Sequence, residues 1–180
     1  FAQRMTGIAT LTHRFVDAVK PFPTIILDTR KTTPTLRILE KYAVHCGGGV
    51  NHRMGLFDMI LIKDNHRLLW SGATGVSLAA AVNRARSVHP GVPIEIEVET
   101  LAELRDALEG RPDWVLLDNM TLDLMRECVA RCRGLCRTEA SGGLTLDRAA
   151  AVAATGVDAL SIGALTHSAP AADLSLDIEC

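Results

Sequence analysis

The sequence predicts an α/β fold: an incomplete parallel barrel of the TIM type, with six or seven strands. Three observations carry this. Short apolar runs recur along the chain, as strands buried on both faces require. Each run ends in polar, charged or glycine residues, and a helical stretch follows. The chain has 180 residues, enough for one domain but short of the ~250 of an eight-stranded barrel. Aromatic residues make up only 4%, so Val, Leu, Ile and Ala must fill the interior, as barrels prefer.

Taken in order, Ile8, Leu11, Phe15, Val16 and Val19 share one face of a helix over 8–20, stopped by Pro21 and Pro23. Residues 24–27 form the first strand. Thr33 followed by Pro34 reads as an N-cap with proline at the first helical position, opening a helix that ends at Gly47-Gly48-Gly49. A polar loop covers 50–58 and a second strand 59–62. Leu68, Leu69 and Trp70 are too short a run to assign. Helices at 75–88 and 100–110 flank a strand at 94–97. A strand at 114–117, a helix at 121–133, a weak strand at 135–140, a helix from 144 to 154 and a strand at 159–162 complete the alternation. Leu174 to Ile178 alternates apolar and polar residues and reads as a separate, half-exposed strand. No linker, repeat or low-complexity tract divides residues 1–180.

The net charge of −2 and the absence of a basic tract argue against nucleic acid. No apolar stretch approaches 18 residues, so a membrane partner is not expected and a cytoplasmic protein is. Five cysteines, an odd number, read as free thiols; Cys128, Cys132 and Cys136 match no common zinc or cluster spacing.

In a barrel, the loops at the C-terminal strand ends converge on one mouth. Arg30, Lys31, His52, Arg53, Lys63 and His66 fall there or in the adjoining loop. Arginine forks suit carboxylates, and lysine suits phosphate as a point charge. Converging cations repel one another unless an anion neutralises them. Glu97 and Asp118 end consecutive strands and suit Mg²⁺ shared with substrate phosphates. Glu95, two residues before Glu97, shares its face. Ser141-Gly142-Gly143 precedes a helix, and Gly163-Ala164-Leu165 closes the last strand; both suit phosphate binding. A lysine ending a barrel strand also suits a Schiff base, so Lys63 leaves an aldolase-type alternative open.

Seven motifs, in order, resemble quinolinate phosphoribosyltransferase, also called carboxylating nicotinate-nucleotide pyrophosphorylase. They are Leu27-Asp28-Thr29-Arg30-Lys31-Thr32-Thr33-Pro34, Gly47-Gly48-Gly49-Val50-Asn51-His52-Arg53, Leu61-Ile62-Lys63-Asp64-Asn65-His66, Glu95-Ile96-Glu97-Val98-Glu99, Leu116-Leu117-Asp118-Asn119, Ala140-Ser141-Gly142-Gly143 and Gly163-Ala164-Leu165-Thr166-His167. The first three together are highly specific. The resemblance implies a pentosyltransferase of NAD biosynthesis. It would join quinolinate to phosphoribosyl pyrophosphate with Mg²⁺, giving nicotinate mononucleotide, pyrophosphate and carbon dioxide.

By that resemblance, Arg30, His52, Arg53 and Lys63 hold quinolinate, and Lys63, Glu97 and Asp118 are catalytic, the last two as Mg²⁺ ligands. Thr29, Lys31, Ser141, Gly142, Gly143, Gly163, Ala164, Leu165 and His167 bind phosphoribosyl pyrophosphate. The family also has an N-terminal α/β domain, absent from this sequence, and shares its sites across a homodimer. This chain by itself is therefore expected to turn over poorly. The rival expectations are a related barrel acting on another anionic pyridine, and a non-catalytic anion-binding fragment.

Overall fold

The computed structural model describes residues 1–66, 69 and 77–178. Leu68, Trp70, the first residues of the helix expected at 75–88, and Cys180 lie outside that set. Among the described residues the named helices and strands alternate: α1 (Ala2–Val19), β1 (Ile25–Leu27), α2 (Arg37–Cys46), β2 (Ile60–Ile62), α3 (Leu78–Val88), β3 (Ile94–Val98), α4 (Leu101–Glu109), β4 (Trp114–Asp118), α5 (Leu122–Cys132), β5 (Arg137–Ser141), α6 (Leu146–Ala153), β6 (Ala159–Ser161) and α7 (Ala164–His167).

The strands form one six-stranded sheet in the order β1-β6-β5-β4-β3-β2, every pair parallel. First and last strands are therefore neighbours, which is the arrangement of a barrel opened between β1 and β2. Val50 sits on the free edge of β1: its N–H donates to the Ile26 carbonyl at 2.8 Å, and its carbonyl accepts from Asp28 at 3.3 Å. This single bridge is a rudimentary seventh strand inside the stretch read as loop.

Strand periodicity divides the side chains into two sets. Ile26, Ile62, Ile94, Ile96, Val98, Val115, Leu117, Ala140 and Leu160 face the helices and join the main apolar core. The register then places Glu97 beside Leu116, and Leu116 beside Glu139, on the opposite, interior face. All three are buried. Carboxylates inside a barrel need partners, and the loops at the mouth supply them.

Side-chain caps start three of the connecting helices. Ser77, Thr100 and Thr121 accept from the N–H groups of Ala80, Glu103 and Leu124 at 3.2–3.3 Å. Two expectations fail. Thr33-Pro34 does not open α2, which starts at Arg37 with no side-chain cap. The Glu40 carboxylate takes the Thr33 N–H at 3.0 Å, and Thr35 turns to φ +70°, which breaks the helical path. Leu174 to Ile178 forms no strand. Val50 occupies the free edge of β1, no described edge pairs with 174–178, and Leu176 is 86% exposed. The segment's anchors to α1 are bonds from Ala172 N–H to the Gln3 carbonyl (2.9 Å) and from Gln3 Nε2 to the Leu174 carbonyl (3.1 Å). Cys128 and Cys132 are buried as free thiols, and Cys136 is half-buried. No helix among the described residues is long and apolar enough to cross a membrane.

Candidate active site

The C-terminal strand ends open into two adjoining cavities. One, of about 400 Å³, is lined by Arg30, Lys31, His52, Arg53, Lys63 and His66 over an apolar floor of Leu56, Leu61 and Leu116. The second, of about 480 Å³, is lined by Lys31, Glu97, Asp118, Ser141, Gly142, Gly143, Gly163, Ala164 and His167. Thr29, Lys31, Lys63, Ser141 and Ser161 border both. The residues singled out from sequence thus converge, with one exception. Leu165 points into the core, fully buried, and its N–H bonds to the Ile162 carbonyl.

The first cavity is short of negative charge at its rim. Burial and the Arg30 charge hold the Arg53 guanidinium below its ordinary range, against the pull of Glu95, Asp58 and Glu139. Arg30 Nε is buried with no hydrogen-bond partner. A buried donor left unpaired costs about 1–3 kcal/mol. Lys63 reaches across to Glu97, Nζ to Oε2 at 3.2 Å.

Beneath the cations lies a cluster that the sequence reading only touched. His52 Nε2 stands 2.9 Å from Glu95 Oε2 and 3.2 Å from Glu139 Oε2. Burial alone would lower the imidazole pKa, but bonds to Glu139 and Glu95 raise it to about 10. Burial and the Glu139 charge push Glu95 up to about 7, against the pull of His52. The two effects compete for one proton. The Arg53 amide donates to His52 Nδ1 at 2.7 Å, so a second ring proton would break that bond. We therefore place the extra proton on Glu95, with His52 Nε2–H facing the two glutamates. Both ring nitrogens of His52 are occupied within the protein. Glu139 lies within the weak strand read at 135–140. Its inward direction became visible only with the β5 register.

The second cavity has three glycines in its wall. Gly142 has φ +98° and Gly143 +54°; a Cβ on Gly142 would stand 2.2 Å from Asn119 Oδ1 and 2.9 Å from Asn119 N. Asn119 is itself left-handed at φ +51° and donates from Nδ2 to Asp118 Oδ2 at 2.6 Å. The chain can pass so close only without a side chain. At Gly163 a Cβ would meet His167 Nε2 at 3.0 Å and the Lys31 stem at 3.2 Å. Carboxylate oxygens of Glu97, Glu99 and Asp118 lie within 4.8 Å of one another. An all-oxygen donor set suits a hard divalent cation. Glu99 had not been singled out as a ligand, although it shares the alternation of Glu95 and Glu97.

Comparison with known proteins agrees with this arrangement. Residues 8–177 match the family model described as quinolinate phosphoribosyl transferase, C-terminal domain. The nicotinate-nucleotide pyrophosphorylase [carboxylating] of Mycobacterium leprae is 48% identical over 177 residues, covering 97% of this chain and 61% of that protein. The probable nicotinate-nucleotide pyrophosphorylase [carboxylating] of Bacillus subtilis is 44% identical, with 98% and 60% covered. The nicotinate-nucleotide pyrophosphorylase structure from Francisella tularensis superposes with a TM-score of 0.90 at 41% identity, covering 96% of this chain and 60% of that one. The chain thus spans about three-fifths of the length of the relatives it matches. With the motifs, the barrel and the match from 8 to 177 in agreement, the chain belongs to the quinolinate phosphoribosyl transferase C-terminal domain family.

Proposed function

We propose that the protein carrying this chain transfers a phosphoribosyl group from phosphoribosyl pyrophosphate to quinolinate. Decarboxylation follows, giving nicotinate mononucleotide, pyrophosphate and carbon dioxide, a step of NAD biosynthesis. One observation carries the reading: Arg30, Arg53 and Lys63 line a single cavity. A planar dicarboxylate fits such a cavity. Its carboxylates meet the guanidinium forks and the ammonium, and its ring lies on Leu56, Leu61 and Leu116. The names of the relatives point the same way.

In this reading His52 works through its position. It braces Arg53 through the amide bond to Nδ1 and is itself braced by Glu95 and Glu139. Lys31 and Lys63 stand between the cavities, where charge builds on the departing pyrophosphate. Gly142 and Gly143 give the phosphate end close access to backbone, with Gly163, Ala164 and His167 on the far wall. Glu97, Glu99 and Asp118 would hold Mg²⁺, which supplies charge neutralisation for the pyrophosphate when bound. The pyridinium nitrogen formed by the transfer then draws electrons from the adjacent carbon–carboxylate bond, carbon dioxide leaves, and the electron pair left on that ring carbon takes up a proton from solvent. The working unit is a homodimer with shared sites, in the cytoplasm.

The Lys63 ammonium is engaged with Glu97 as a charge, so borohydride with a carbonyl compound should trap no adduct at Lys63. The decisive measurement is nicotinate mononucleotide formation by the whole protein. Product should form from quinolinate, phosphoribosyl pyrophosphate and Mg²⁺ and cease with EDTA. Nicotinate, with one carboxylate fewer, should be a poor substitute. No product from quinolinate overturns the proposal.

A further inference from the structure

Two consecutive residues in the middle of α2, Glu40 and Lys41, are both fully buried. Charged neighbours on a helix usually face water, and burying either without a partner is costly. Consecutive positions on a helix diverge by about 100°. These two side chains reach different loops, and each loop carries cations of the first cavity.

Lys41 Nζ pairs with Asp28, also at 0% exposure, and donates to the His52 carbonyl at 3.0 Å. Asp28 Oδ1 accepts the His52 N–H at 2.8 Å, and its Oδ2 accepts from Asn51 Nδ2 at 2.7 Å. Asn51 Nδ2 also donates to the Lys41 carbonyl at 2.8 Å. Both backbone groups of His52 and the side chain of Asn51 are thereby tied to α2 and the end of β1. Glu40 Oε2 accepts from Thr33 N–H at 3.0 Å, and its Oε1 pairs with Arg4, which also bonds Thr33 Oγ1 and the Thr166 carbonyl. Thr166 Oγ1 in turn donates to the Lys31 carbonyl at 2.8 Å.

We propose that Lys41, with Asp28 and Asn51, positions the His52-Arg53 loop for the carboxylate-bearing substrate, while Glu40, with Arg4, positions the Arg30-Lys31 loop. Burial works against the charge on both partners of the first pair, raising Asp28 and lowering Lys41. A buried ion pair is weak evidence for stability, since apolar residues of similar volume often serve as well. Its value here is geometric: it fixes where the cations of the mouth stand. The two anchors differ in reach. His52 and Arg53 line the first cavity and not the second, whereas Lys31 borders both.

The proposal rests on the quinolinate reading, and its test separates the two. Binding of quinolinate and, separately, of phosphoribosyl pyrophosphate is measured by calorimetry on the whole protein and its variants. An unmodified protein that fails to bind quinolinate defeats the functional reading. If it binds, Asn51→Ala, which removes two hydrogen bonds and strands no charge, should weaken quinolinate about tenfold, as outer-shell bracing does elsewhere. Phosphoribosyl pyrophosphate should stay within about twofold. The double variant Asp28→Leu/Lys41→Met, which removes both charges together, should show the same selectivity more strongly. Arg4→Met/Glu40→Leu should weaken both ligands. Equal losses for both ligands in Asn51→Ala, or unchanged quinolinate binding, overturn the positioning role whether or not the double variants fold.

Discussion

Under the proposed function, the two cavities of the mouth would recognise charge by opposite means. The first uses long cationic side chains, held by buried ion pairs and by the His52–Glu95–Glu139 cluster. The second uses backbone exposed by glycines at positive φ, with carboxylates beside it. Side-chain recognition depends on distant struts, because a flexible guanidinium must be aimed. Backbone recognition is aimed by the chain path itself, and fails only when that path changes. Damage to the first cavity should therefore be graded and selective. Damage to the second should cost stability as well as binding.

The largest effect expected is at Gly142. Alanine there must adopt φ near +98° and stand within 3 Å of Asn119 N. Strain and overpacking together cost about 2–4 kcal/mol. Urea denaturation should show that loss, and calorimetry should show phosphoribosyl pyrophosphate weakened more than quinolinate. A Gly142→Ala variant with wild-type stability would break the comparison, because the second cavity would then not depend on its backbone path.

Next come Arg53→Ala and Lys63→Ala. Each removes a charge-assisted hydrogen bond to quinolinate, worth about 1.5–3 kcal/mol. Arg53→Ala should unfold at nearly the wild-type midpoint, whereas Lys63→Ala, which takes a partner from the buried Glu97, should unfold somewhat earlier. Unchanged quinolinate affinity in both would sink their assignment as its ligands.

The parts visible in the sequence differ in kind from the parts that were not. The strands were legible because parallel, doubly buried strands read as apolar runs, such as Trp114 to Leu117 and Met59 to Ile62. The cations were legible because each follows such a run or its loop. Glu40 and Lys41 were not, because two adjacent charges in a helix look like a solvated face until tertiary partners are known. The expected cap at Thr33-Pro34 failed for the same reason: Glu40, seven residues on, captured the Thr33 amide. Leu174 to Ile178 had the right alternation, but pairing needs a free edge as well as a pattern.

The third prediction concerns pH, and belongs to the first cavity alone. Glu95 has a folded-state pKa raised from 4.5 to about 7. The folded protein therefore binds more protons than the unfolded chain between those values, and stability falls as pH rises through that window. The loss should be on the order of 2 kcal/mol, less than a lone group would give because the neighbouring His52 competes for the proton. Urea midpoints from pH 4.5 to 11 would measure it. Glu95→Gln should flatten the fall, whereas Gly142→Ala should keep it. A fall centred near pH 10 would instead put the proton on His52, whose raised pKa makes stability present below 6.5 and lost through about 10.

The smallest effect belongs to Glu99, and it sharpens the picture of the second cavity. Glu97 is nearly buried on β3, whereas Glu99 lies beyond the strand end and is exposed. An exposed carboxylate is screened by water, so its contribution to holding a cation should be under about 1 kcal/mol. Glu97→Gln removes the inner ligand and, with it, the Lys63 ion pair, so its effect should be clearly larger. Mg²⁺ titrations of the two variants, read through phosphoribosyl pyrophosphate binding, compare them directly. Glu99→Gln should shift the half-saturating Mg²⁺ only a few-fold and leave quinolinate affinity in the absence of Mg²⁺ untouched. If Glu99→Gln instead matched Glu97→Gln, the cation would sit outside the strand ends, held by the rim. The barrel interior would then serve the cationic cavity alone.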